Sequence, residues 1–179
     1  ADSSNRLADS IHAYEPQKDV LMKQTVFDVL MYLFENYIDD DNANQTDPEE
    51  LKALLHDAGF GKNHISKAFD WLEGLVRLQN ETVTCSNSTN TIRAYHSNEA
   101  RKLNIECQGF LHFLEQMGVI DATGREHIID RAMALESEEI DLTQLKWVVL
   151  MVLFNQSGSD EAYVWMENMV LENLSKDFH

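Results

Sequence analysis

Apolar residues recur along this chain at the three- and four-residue spacing of helices rather than the two-residue spacing of strands. Between Asp141 and Asn155 the sequence reads D-L-T-Q-L-K-W-V-V-L-M-V-L-F-N, and from Trp147 to Phe154 no side chain is polar. A helix apolar on every face has to be enclosed by other helices. The run is too short to cross a bilayer, which needs about 20 apolar residues. It predicts a central helix around which the rest of the molecule packs.

The other elements follow from periodicity and caps. A first helix is expected over Val26 to Ile38, with Thr25 as N-cap and Asp28 three residues on. Val26, Val29, Leu30, Leu33, Phe34 and Tyr37 form its apolar face. A second starts at Asp47-Pro48-Glu49-Glu50, an N-cap, a proline at the first helical position and two carboxylates against the positive helix end. It stops at Gly59, which can take the left-handed conformation past a helix end. A third covers about Asn63 to Leu78. From Gln79 to Asn98 the pattern breaks; Val83, Cys85, Ile92 and Tyr95 lie in two β-tolerant stretches compatible with a short hairpin or an irregular linker. Helices then follow over Ser97 to Met117 (with a break near Asn104), from Asp121 to about Leu135, from Asp141 through the central run, and from Ser159 or Asp160 to about Leu174. Glu172 and Lys176 stand in the favourable i,i+4 order.

The fold class expected is all-α: a bundle of about seven helices in two halves, residues 22–78 and 97–179, joined by a polar linker over 79–96. Residues 1–21 show weak periodicity and read as a loosely held extension, native or not. Met22 stands where an internal start would fall.

Charge narrows the partners. Asp and Glu number 31 against 14 Lys and Arg, for a net charge of -17. Such a surface repels phosphate backbones and anionic lipid, and leaves basic proteins as partners. Arg101-Lys102 is the only adjacent basic pair. The two cysteines, Cys85 and Cys107, read as free cytosolic thiols. No apolar signal core stands in the first 21 residues, and the sequons at Asn80 and Asn87 read as chance. The compartment expected is the cytoplasm.

Candidate chemistry is sparse. Asp39 to Glu50 has acids at positions 1, 3, 9 and 12 of a calcium-loop window. Ala43 at position 5 and Asn44 at position 6 break that pattern, so the segment reads as a solvated loop. Cys85, His96, Cys107 and His112 match no compact zinc spacing. His127, Asp130 and Arg131 read as a surface charge ladder rather than a catalytic dyad. No phosphate-binding glycine pattern or nucleophile turn is present. No catalytic residue, cofactor or metal ligand is expected. The segment Leu51 to Leu75, a helix, a G-F turn and a helix ending in an aromatic-Leu pair, resembles the ubiquitin-associated type of three-helix domain. Such domains bind proteins through the G-F turn and a late helix face. On that resemblance Gly59, Phe60, Trp71 and Leu72 are the candidate contact residues; the alternative is a generic helical hairpin with Phe60 buried.

Five blocks carry a wider resemblance: V-F-D-V-L-M-Y-L-F-E-N-Y-I (26–38), D-A-G-F (57–60) with A-F-D-W-L-E (68–73), C-Q-G-F-L-H-F-L-E-Q-M-G-V-I (107–120), R-E-H-I-I-D-R-A-M-A-L (125–135) and L-K-W-V-V-L-M-V-L-F-N (145–155). Together they resemble the bacterial Smg family over about residues 22–179. That resemblance implies a small soluble bacterial protein and supplies no catalytic or ligand-binding residues. The function expected is a non-enzymatic interaction module for another protein of basic character. The alternative is a nucleic-acid-associated factor, with a helix-turn-helix around Val119 to Phe154 that presents Arg125 and Arg131 outward.

Overall fold

The structure, a computed structural model, describes residues 25–38, 47–80, 93–156 and 160–177. The acidic loop, the N-terminal extension, the cap at Ser159 and, of the segment read as a short hairpin or an irregular linker, Val83, Cys85 and Ile92 lie outside these residues; Tyr95 lies within them, in no strand. Among those described, eight α-helices and no strands are found. They are α1 (Val26–Leu33), α2 (Pro48–Asp57), α3 (Lys62–Asn80), α4 (Ser97–Lys102), α5 (Ile105–Gln116), α6 (Ala122–Met133), α7 (Leu142–Asn155) and α8 (Asp160–Asp177).

The caps read from the sequence are in place. Thr25 and Asp28 exchange hydrogen bonds in a capping box, and Asp141 does the same with Gln144. Asp47 accepts from the Glu49 amide ahead of Pro48, and Asp121 from the Gly124 amide. Each satisfies amides that the first helical turn leaves unpaired. α1 continues through Phe34–Ile38 as a π-helical turn, which completes the expected helix with a wider last turn.

The expected helix over Ser97 to Met117 divides in two, which raises the count from about seven to eight. Leu103 is extended and pairs with Ile140 in an isolated parallel bridge, and Asn104 then caps α5 through the Cys107 amide. The break is tied to the α6–α7 loop. Ile140 donates its amide to the Lys102 carbonyl at 2.9 Å, the Cys107 thiol donates to the Ile140 carbonyl, and the Lys102 ammonium donates to the carbonyls of Met133 and Leu135. Lys102 thus satisfies carbonyls at the end of α6, and its burial lowers its pKa.

At the centre lies α7, which contacts α3, α5, α6 and α8. Leu145 and every residue from Trp147 to Leu153 are buried. Phe154 is the exception: it closes the run yet stands 48% exposed, because the helix emerges there from its neighbours. Its ring still meets those of Phe34 and Tyr163. The two halves share one core, since Phe34 of the first packs edge-on to Trp147 of the second at 5.7 Å between centroids.

Candidate functional site

The α2–α3 hairpin carries the contact residues read from the sequence. Its turn forms because Gly59 adopts φ +99°, where an L side chain would be strained. The Gly59 amide then reaches the His56 carbonyl and the Phe60 amide the Leu55 carbonyl, which satisfies the last turn of α2. This geometry rotates Phe60 inward. It is 3% exposed, with its ring edge-on to Tyr32 at 5.3 Å. Trp71 is buried too, Leu72 is half-buried and Gly59 is exposed. The four expected contact residues do not share an open face. Phe60 and Trp71 belong to the core, and reaching them would require opening the bundle.

Trp71 performs a different task. Its indole Nε1 donates to the Arg131 carbonyl at 2.8 Å, and Arg131 Nη1 donates back to the Trp71 carbonyl at 2.9 Å. Asp130 holds the other side of the same guanidinium. The guanidinium lies against Gly74, filling the space a Cβ would need. This reciprocal pair locks α3 to α6, and with them the two halves of the chain.

The lock corrects two expectations. His127, Asp130 and Arg131 are not a surface ladder: His127 and Arg131 are buried, because the α6 face that bears them packs under α3 and α7. The His127 Nδ1 instead stands 3.5 Å from Gln156 at the end of α7. Nor do Arg125 and Arg131 face outward as a helix-turn-helix would need. Arg125 makes a two-point contact with Glu115 at 2.7 and 2.8 Å and also meets Glu126. Arg93, which sequence reasoning missed, grips Glu99 and Glu126 together and holds the Glu99 carboxyl down to about 2. Nothing in the local sequence signals that grip, since Arg93 and Glu126 are brought together only by the fold. With Lys102, these arginines commit four of the chain's fourteen Lys and Arg side chains to internal ties.

Of Cys85, His96, Cys107 and His112, the last three lie within the described residues. His112 is exposed on one side of α5, Cys107 is buried on the other, and His96 caps α4. Burial raises the Cys107 thiol to about 11, which makes it an inert core group rather than a nucleophile. Among the described residues no three His, Cys, Asp or Glu side chains are gathered to hold a metal ion. No described helix is long and apolar enough to cross a membrane.

What the hairpin does offer is a groove on its outer side, with a volume of about 520 Å³. Ala53 and Ile65 form an apolar floor between α2 and α3. Glu49, Lys52, Asp57 and Lys62 rim it with both signs of charge. Lys52 is held by Glu49 at 2.8 Å and lies over the Phe69 ring. Such a trough can accept a side chain or a short segment of a partner, with its rim fixing orientation.

Comparison with known proteins bears on the whole chain. Residues 26–179 match the family described as a protein of unknown function, DUF494. A protein from Nitrosococcus oceani, named Protein Smg homolog, is 52% identical over 159 residues, covering 88% of this chain and 100% of the relative. The Protein Smg homolog of Alkalilimnicola ehrlichii is 49% identical over 152 residues, covering 85% and 96%. That of Stenotrophomonas maltophilia is 48% identical over 158 residues, covering 88% and 100%. No solved structure matches the chain. Identity at this level over nearly the full length of each relative is a shared fold and descent: this chain belongs to the Smg family.

Proposed function

We propose that this protein is a non-enzymatic interaction module of the cytoplasm that docks a basic partner protein through the outer groove of its α2–α3 hairpin. The observation that carries the reading is the groove itself, an open trough with an apolar floor and a charged rim, set on a hairpin that the Trp71–Arg131 lock holds rigid. A rigid face loses little conformational entropy on binding, which favours recognition by a preformed surface. The basic character of the partner follows from the net charge of -17 and from the internal use of Arg93, Arg125, Arg131 and Lys102. Long-range attraction then speeds the encounter and weakens with salt. The same charge distribution supports the absence of direct nucleic-acid binding. The perturbed groups support a structural rather than a catalytic role: Arg93, Glu99, Arg125 and Glu126 answer one another in ion pairs that tie the fold.

The test is a comparison of captured proteins between the wild type and Ala53→Arg, an exposed helical position whose new side chain fills the groove. Thermal unfolding of both confirms an intact fold. At least one stoichiometric basic protein is expected to be retained by the wild type, released by salt, and missing from the variant. Identical sets from the two proteins would refute the reading.

A further inference from the structure

The outer face of α5 gathers three of the large apolar side chains that stand exposed among the described residues. Cys107, Leu111 and Leu114 point into the core. Opposite them, Gly109 sits at the middle of the exposed side with nothing within 4 Å of where its Cβ would stand. Its neighbours on that side are Ile105, Phe113 and Met117, respectively 83%, 42% and 59% exposed. A glycine inside a helix weakens it, and this one answers to no close contact within the fold. Glycine at the centre of an exposed apolar helical face permits another helix backbone to come close.

The pattern about Gly109 also matches itself when reversed. Ile105 and Phe113 lie four residues to either side, and Glu106 and His112 lie three residues to either side. In an antiparallel pair of α5 helices crossing at Gly109, each Ile105 meets the other copy's Phe113 and each Glu106 meets the other copy's His112. Two-fold interfaces require this self-complementarity, because one patch must serve as both partners. Charge points to the same occupant. Glu106 is the one acid on this exposed arc in a chain with 31 acidic residues. A basic partner would be met by acids here, whereas a second anionic copy needs a face from which they are withheld. We infer that the α5 face is a homodimer interface, with its two-fold axis passing beside Gly109. This surface is separate from the α2–α3 groove, and the inference stands whatever that groove binds.

The experiment uses the full chain with Cys85→Ser. Sedimentation equilibrium is run over a concentration series, at an ionic strength that screens the net charge. The mass is expected to double as concentration rises. Ile105→Glu is expected to weaken association at least about tenfold while leaving thermal unfolding in place. Glu106→Lys alone weakens it, and adding His112→Glu restores it, since the exchanged charges again meet across the axis. Gly109→Cys is expected to give an oxidised covalent dimer, while Glu138→Cys on another surface does not. A monomer across the whole series would overturn the inference. So would a dimer unmoved by Ile105→Glu, a double exchange that fails to restore it, or equal cross-linking at both cysteine positions.

Discussion

Gly74 and Arg131 form a contact in which the sign of a mutational effect should depend on the partner. In Gly74→Ala the new Cβ would lie 1.9 Å from Arg131 Nη1, 2.7 Å from Cζ and 2.9 Å from Nη2. The guanidinium must move, and its bond to the Trp71 carbonyl is lost. A hydrogen bond from a charged group contributes about 1.5–3 kcal/mol. Against that, alanine inside a helix is favoured over glycine by about 1 kcal/mol. Asp130 is half-exposed and can follow the moved guanidinium, so its ion pair adds little. The net expectation for Gly74→Ala is a loss of about 0.5–2 kcal/mol, or a few degrees in Tm for a chain of this size. In an Arg131→Ala background the obstruction is gone, and the same change should stabilise by about 1 kcal/mol. The four proteins form a double-mutant cycle with a coupling of about 1.5–3 kcal/mol, measured by urea unfolding followed by circular dichroism. If Gly74→Ala stabilises the wild type, or if its sign does not reverse when Arg131 is removed, the account of why a glycine stands there is wrong.

Three further outcomes are expected. Leu150→Ala in the enclosed helix should cost about 2–5 kcal/mol by urea unfolding, as a buried leucine replaced by a cavity does, and a cost under 1 kcal/mol would remove α7 from the centre of the core. The Glu99 carboxyl is held by Arg93 at about 2 against an ordinary 4.5, so it contributes stability above about pH 4.5 that is lost as pH falls toward 2. Glu99→Gln should therefore be less stable than the wild type at neutral pH, with the gap closing on acidification; a gap that stays constant contradicts the pairing. In a Cys85→Ser background, Cys107 should resist an aromatic disulfide reagent while the protein is folded and react promptly in denaturant, and rapid labelling of the native protein would show the thiol is not enclosed.

Local chemistry was legible residue by residue. Thr25, Asp47, Asp121 and Asp141 marked helix starts because a cap involves only atoms within three residues of one another. Gly59 marked a helix end for the same reason, and it adopts a positive φ. The unbroken apolar run from Trp147 announced a surrounded helix, since no other environment accommodates it. Hence the all-α class could be read without coordinates.

The candidate site was less legible, because whether a side chain is covered depends on elements far away in sequence. Phe60 and Trp71 have the composition of a binding patch and the surroundings of a core; Tyr32 and Arg131 make the difference, and both lie far along the chain. Arg125 and Arg131 read as outward-facing charge until the fold set Glu115, Glu126 and Trp71 against them. On α5, apolar residues occupy both sides of the helix, so periodicity could not say which side faces water. Sequence alone settled where each helix begins and what class of fold the helices build, since those are questions of short-range hydrogen bonding and apolar spacing. Only the tertiary structure decided which aromatic rings are hidden, which charges are already answered and which helical face remains open, because these depend on atoms that chain folding brings together.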